Sequence, residues 1–427
     1  MSDAFVPLLV AVPMLGALLV VASGLVSERG PPAVAGGALA AQTILAGWLG
    51  SKVFTDGPLS VDVGGFVAPY GIELVVDGLS AIVVVLVAAV SLAVLVYAIR
   101  DDPGGTPFYT EYLLLVTGLS GMTVTGDVFN LYVFLEISGL ATYALVASAG
   151  TGRSAVAALK YLMFGTVAAS LYLLGVGYAL VATGTLNMAD LSTELAAAGY
   201  DSTLVLASFG FIVVGLATKT ALFPLHTWQP DAYGDAPDSV SALIAALVST
   251  VAAYALLRLV YTVYTPAFFE AVPVARTALV VFACVSIVVG SVLAVAQSKV
   301  KRMLAYSSVS QYGLVVVGLA IGTRAAVFGA IVHLVGHAIM KGGLFVAAGT
   351  IDDLLGATTV EEYAGLADRY PFLGGASAVL MLAMVGIPPA VGFAGKWYIA
   401  LGAVEAGAWP VAVVIFASTL LTLAYFA

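Results

Sequence analysis

The sequence predicts an all-α membrane protein, a polytopic bundle of about thirteen transmembrane helices. Three observations predict it. Of 427 residues, 62% are hydrophobic and only 9% are Asp, Glu, Lys or Arg, where a soluble domain carries about 25% charge. Apolar blocks recur from end to end at about 20 residues each, the length that crosses roughly 30 Å of hydrocarbon as a helix. In lipid, backbone N–H and C=O groups have to be paired within their own element, and a chain without strand-length alternation meets that demand as helices.

The spans fall near residues 4–26, 33–54, 77–99, 108–125, 127–149 and 154–183, then near 203–230, 237–263, 273–297, 304–322, 325–349, 373–402 and 407–426. The first lacks a basic flank and a small-residue cleavage site, so it reads as a helix and not a signal peptide. Between the second and third spans, VGGFVAPYGIELVVDGLS combines Gly, Pro and alternating apolar residues. That pattern predicts an extended segment outside the bilayer, within residues 55–76. Met188 to Ala198 reads as a short interfacial helix. The division expected is an N-terminal part over 1–107, a first helical repeat over 108–263 and a second over 273–427.

Loops after odd-numbered spans hold Arg29, Arg100, Arg153, Lys299, Lys301, Arg302 and Arg369, against Lys52, Arg276 and Arg324 after even ones. The excess of Lys and Arg marks the cytoplasmic side and puts the N-terminus outside a plasma membrane. The formal net charge of −9 comes with acids read as loop residues: Asp101 and Asp102, Asp352 and Asp353, Glu361 and Glu362. A nucleic-acid partner surface is absent. An acidic, lysine-poor exterior is compatible with high salt. The single cysteine, Cys284, excludes a disulfide framework, iron–sulfur ligation or a thiolate zinc site within this chain, and no cofactor is expected.

Two spans are long and interrupted. GLATKTALFPLHTW, 215–228, has Pro224 in mid-helix, and GIPPAVGFAGKW, 386–397, has Pro388, Pro389 and two glycines; each break lies beside a lysine. Paired discontinuous helices point to inverted repeats with a transport site, although prolines also simply kink packed membrane helices.

Six ionisable residues lie deep within spans: Glu136, Lys219, His333, His337, Lys341 and Lys396. A charged centre there costs roughly 2.5–3.5 kcal/mol, so such groups should pair or exchange protons. A carboxylate at Glu136 would hold Lys219 charged, as a proton-loading pair or as a static ion pair. His333, His337 and Lys341, spaced i, i+4, i+8, form a line about 12 Å long on one helix face. Imidazoles at that spacing can relay protons or bind a metal; no Cys, Asp or Glu at membrane depth completes a metal set, so no metal is expected. Lys396 would end the relay or snorkel to the interface, and His226 would gate or cap the first break. No phosphate loop, dinucleotide glycine motif or nucleophile elbow is present, and the chain is not expected to be an enzyme.

These segments, with TGDVFNLYVFLEISGL (125–140), GLATKTALFPLHTWQPDAY (215–233), KRMLAYSSVSQYG (301–313) and HLVGHAIMKGGLF (333–345), resemble the proton-translocating antiporter-like subunits. That superfamily is shared by Mrp-type multisubunit sodium/proton antiporters, respiratory complex I and membrane-bound hydrogenases. The resemblance is strongest to the D-type member of Mrp antiporters. It implies fourteen helices with two inverted five-helix repeats, discontinuous helices seven and twelve, and work inside a complex with other antiporter subunits on protons and Na+. It also implies that Glu136 pairs with Lys219 and that the family's later lysines and histidines fall on His333, His337, Lys341 and Lys396. Two departures stand out. Where relatives carry a central Lys or His in helix eight, PDSVSALIAALVSTVAAYALLR has only Ser249 and Thr250 before Arg258, so a wire there would use those hydroxyls or water. The chain also stops after thirteen spans, which reads as a truncated sequence or a short paralogue.

Overall fold

A computed structural model describes residues 2–101 and 104–426; Asp102, counted above among the loop acids, lies outside the described residues. Each expected span falls on helix. Among the described residues, ten helices are long and apolar enough to cross a membrane, with Thr203–Lys219 and Pro371–Val385 as shorter apolar helices. The exterior is greasy: Leu18, Leu19, Ile44, Val156, Met163, Val181 and Leu420 are all exposed on helices, an arrangement that suits a lipid solvent and would be costly in water. The chain is a multi-pass membrane protein.

Capping chemistry sets several boundaries. The Asp127 carboxylate accepts from the Asn130 N–H at 2.6 Å and starts helix Val128–Ala147. Thr151 and Ser154 form a reciprocal capping box at the head of Gly152–Thr183, satisfying two donors that the first turn would otherwise leave open. The segment after the second span is a β-hairpin, Leu59–Asp62 paired antiparallel with Glu73–Val76, whose Leu59, Leu74 and Val76 pack with Val6, Leu49, Val53 and Val124. Helix Met188–Ala198 is capped by the Asn187 side chain.

Two features differ from the sequence reading. Helix Arg324–Leu355 runs past 349, so Asp352 and Asp353 sit in its last turns and not in a loop; Gly356 in the left-handed conformation ends it. The eighth span, Asp238–Ala271, contains two π-helical stretches, Ile244–Val248 and Leu259–Tyr264. Such bulges carry no strong sequence signature and cluster at functional positions.

The chain forms two compact units: residues 1–219 with 254–272, and 220–253 with 273–427. In the first, the Arg258 guanidinium pairs with Asp77, the residue before helix Gly78–Asp101. Burial pushes the Asp77 pKa up, but the Arg258 charge and bonds from Ser80 outweigh it and hold the carboxyl below its ordinary range. In the second, Lys301 pairs with Asp238 and Arg302 with Asp231; Asp238, Lys301 and Arg302 stand in the first turns of their helices.

Candidate functional site

In the first unit, Glu136 lies on helix Val128–Ala147 and Lys219 is the last residue of helix Thr203–Lys219. Lys219 is 5% exposed. Its Nζ donates to the Tyr143 hydroxyl at 2.9 Å and sits 5.4 Å from that ring's centroid. The Glu136 carboxylate acts electrostatically on both Lys219 and Tyr143, and its Oε1 is buried with no hydrogen-bond partner. Glu136 and Tyr143 are spaced i, i+7, two helical turns apart on one face. That spacing was the available signal for Tyr143, which sequence reasoning passed over as an ordinary aromatic.

Two glycines make room for this contact. A Cβ at Gly165 would lie 1.7 Å from the Tyr143 hydroxyl, and one at Gly139 would lie 3.1 Å from Lys219 Nζ. The missing side chains let a phenol and an ammonium approach the helix backbones closely.

The second unit begins at the first break. Helix stops at Lys219 and resumes at Gln229; Pro224 lacks a donor, and Ala221 adopts φ 59°, a left-handed conformation that costs a non-glycine residue on the order of 1 kcal/mol. The Phe223 N–H turns to Ser286 Oγ at 3.2 Å. The His226 ring is buried, with ring centroids of Phe223 and Tyr306 at 5.5 and 5.9 Å.

Beyond the break lies a chain of hydroxyls and amides. The Tyr233 hydroxyl is 3.2 Å from Ser249 Oγ, and Gln229 Nε2 donates to Tyr233 at 3.1 Å. Thr250 Oγ1 donates to the Ala246 carbonyl at 2.7 Å and lies 2.9 Å from the Tyr312 hydroxyl. With the one threonine proton committed to Ala246, Tyr312 is the donor in that second bond. The Tyr312 ring then meets His337 edge-on at 4.8 Å.

His333, His337 and Lys341 are all fully buried on helix Arg324–Leu355. The two imidazoles lie 6.4 Å apart. His333 Nε2 is 2.9 Å from Gln311 Oε1, while both ring nitrogens of His337 and Nδ1 of His333 are buried without a hydrogen-bond partner. Buried polar atoms left in this way are sites for water. Lys341 Nζ donates to the Leu304 carbonyl and to Ser307 Oγ.

Lys396, 5% exposed, donates to the Met384 and Val385 carbonyls at 3.0 Å each. These are the last carbonyls of helix Pro371–Val385, so the ammonium sits on the negative end of a helix dipole created by the second break. Lys396 is therefore turned inward and does not snorkel.

The family described as NADH:quinone oxidoreductase/Mrp antiporter, TM, matches residues 125–422. The chain belongs to this family. Similar members include the N-type subunit of an NADH-quinone oxidoreductase from Desulforudis audaxviator, 49% identical over 85% of this chain and 73% of that one. The D-type subunit of a Na(+)/H(+) antiporter from Bacillus subtilis is 34% identical over 89% and 77%. Among solved structures, a chain of an archaeal membrane-bound sulfane sulfur reductase superposes with TM-score 0.92 at 33% identity, covering 99% of this chain and 86% of that one. A chain of the Mrp complex from Dietzia sp. gives 0.91 at 27% identity, over 99% and 79%. The relatives named here are thus subunits of multisubunit membrane complexes.

Proposed function

We propose that this chain is a D-type, proton-translocating subunit of a cation/proton antiporter, in a plasma membrane with its N-terminus outside, working with other antiporter subunits on protons and Na+. One observation carries the reading: Lys341 and Lys396 are buried, are hydrogen-bonded to neutral oxygens, and form no ion pair among the described residues. An ammonium so placed is costly to keep charged, so a proton loaded there is readily passed on. In the first unit Glu136 biases Lys219, whose ammonium is steadied by Tyr143. In the second, Tyr312, His337, His333 and Lys341 relay with bound water, and Lys396 hands the proton onward. Thr250 and Tyr312 stand in for the absent helix-eight charge. Lys219→Ala in the complete complex, reconstituted in vesicles, should abolish proton-coupled sodium efflux while assembly persists; unchanged efflux would remove Lys219 from the path.

The second reading is the antiporter-like subunit of a redox-driven pump, favoured by the 49% identity to a relative named as part of an NADH-quinone oxidoreductase. Purification of the native complex separates the two: iron–sulfur absorption or a quinone-reactive partner supports the redox pump, and small antiporter subunits support the exchanger. A non-conducting structural role is the reading left if Thr250→Lys and Lys219→Ala both leave proton flux unchanged.

A further inference from the structure

In the first unit, helices Leu8–Gly24, Gly30–Asp56 and Gly105–Val124 carry none of the deep ionisable residues, yet one buried glutamine joins all three. Pro13 lies inside the first of them. Having no N–H, it leaves the carbonyl four residues earlier, at Leu9, without its helical donor. Gln42, fully buried on the second helix, supplies one: its Nε2 donates to the Leu9 carbonyl at 3.1 Å. The same nitrogen donates to Ser120 Oγ, on the third helix, at 2.7 Å. A carbonyl can only accept, so the nitrogen faces Leu9 and Oε1 is left buried without a hydrogen-bond partner. In lipid no water replaces either bond.

The helix that Ser120 stands on is also the seat of Glu136. A Cβ at Gly118 would lie 2.6 Å from the Ser138 backbone nitrogen and 2.8 Å from the Phe134 carbonyl oxygen, and one at Gly121 would lie 2.2 Å from the Phe134 ring. Phe134 to Ser138 is the turn of helix Val128–Ala147 that carries Glu136. At about 100° of rotation per residue, Ser120 points away from this glycine face and toward Gln42. The same helix is pinned again three residues on: Thr123 Oγ1 donates to the Ser120 carbonyl at 2.6 Å, and the Tyr254 hydroxyl donates to the Thr123 carbonyl at 2.7 Å.

We propose that Gln42 is a positioning residue for Glu136: through Ser120 it fixes the depth and rotation of helix Gly105–Val124, whose glycine face fixes the turn that carries the carboxylate. Gln42 handles no proton and acts only through these helices. Interhelical hydrogen bonds matter here because apolar burial gives no drive between helices in lipid. The two bonds have separate consequences. The one to Leu9 completes a proline-interrupted helix and serves assembly. The one to Ser120 sets where Glu136 stands, and the pull of that carboxylate on Lys219 changes with their separation. The inference rests on the proton-translocating reading, and Lys219→Ala beside the new variants tells the failure of one from the failure of the other.

The experiment measures assembly of the complete complex on a native gel and, after reconstitution, proton flux per assembled complex over a range of pH. Gln42→Leu should lower assembly about twofold or more and flux about tenfold. Pro13→Ala returns an N–H to Leu9, so Pro13→Ala/Gln42→Leu should assemble as wild type while flux per complex stays about tenfold low. Ser120→Ala leaves the Leu9 bond in place and should assemble normally. Its flux should fall about fivefold and the pH of half-maximal flux should move by about half a unit, a change that poorer assembly alone does not produce. Ser120→Thr keeps the hydroxyl and should restore both. Wild-type flux and pH profile in Ser120→Ala, with Lys219→Ala inactive, would overturn the positioning role and spare the proposed function. Wild-type flux per complex in Pro13→Ala/Gln42→Leu would overturn it too, reducing Gln42 to a structural bond. A double variant that assembles no better than Gln42→Leu would overturn the part given to Leu9. Flux untouched by Lys219→Ala would remove both readings.

Discussion

Gly165→Ala offers a sharp probe of the Lys219 centre because it adds one methyl group and changes no charge. That methyl would lie 1.7 Å from the Tyr143 hydroxyl and 2.6 Å from its Cζ, so the tyrosine has to move. Overpacking of this kind costs about 1–3 kcal/mol, and losing the hydrogen bond to a charged Lys219 costs roughly another 1.5–3 kcal/mol. If Tyr143 steadies the ammonium, flux through the reconstituted complex should fall at least tenfold, equivalent to about 1.4 kcal/mol. A double-mutant cycle with Tyr143→Phe isolates the coupling. Removing the hydroxyl relieves the closest clash but not the one at Cζ, so the double variant should be better than the sum of the singles by about 1 kcal/mol in thermal or detergent stability. Proton flux read with a pH-sensitive dye, beside assembly on a native gel, gives both numbers. Wild-type flux in Gly165→Ala, or strict additivity in the cycle, would refute the claim that these two helices meet through Tyr143.

Further outcomes follow from the same geometry. Lys396→Met removes a cation from the Met384 and Val385 carbonyls and should destabilise the broken helix by about 1–2 kcal/mol, with flux lost; Lys396→Arg should restore stability more than flux, since arginine does not give up its proton. Thr250→Ala breaks the contact with Tyr312 and should slow flux several-fold, an effect that Thr250→Ser largely reverses. Asp77→Asn should cost about 1–2 kcal/mol of stability at pH 7, after allowing for partial exposure. Because the folded-state pKa of Asp77 is lowered, its contribution is fully present above the ordinary aspartate value and fades as pH falls through the lowered one. The difference between wild type and Asp77→Asn should therefore close in acid, and a difference that persists once pH is below the lowered value would contradict the ion pair.

Much of the fold was legible in the chain because lipid imposes a simple demand: apolar runs of bilayer length become helices, and prolines with no donor to give interrupt them. The breaks beside Lys219 and Lys396, the extended segment before the third span and the helix at Met188–Ala198 all follow from local pattern. The rare ionisable residues were equally visible, since each stands out against a hydrocarbon background. The partners of those residues were not. Tyr143, Gln311 and Tyr312 look like ordinary helix residues, and only packing tells which of them meets a lysine or a histidine. The π-helical stretches in Asp238–Ala271 and the carbonyls that cradle Lys396 depend likewise on neighbouring helices. A sequence states what the bilayer will cost each residue, and tertiary structure decides which groups meet to offset that cost.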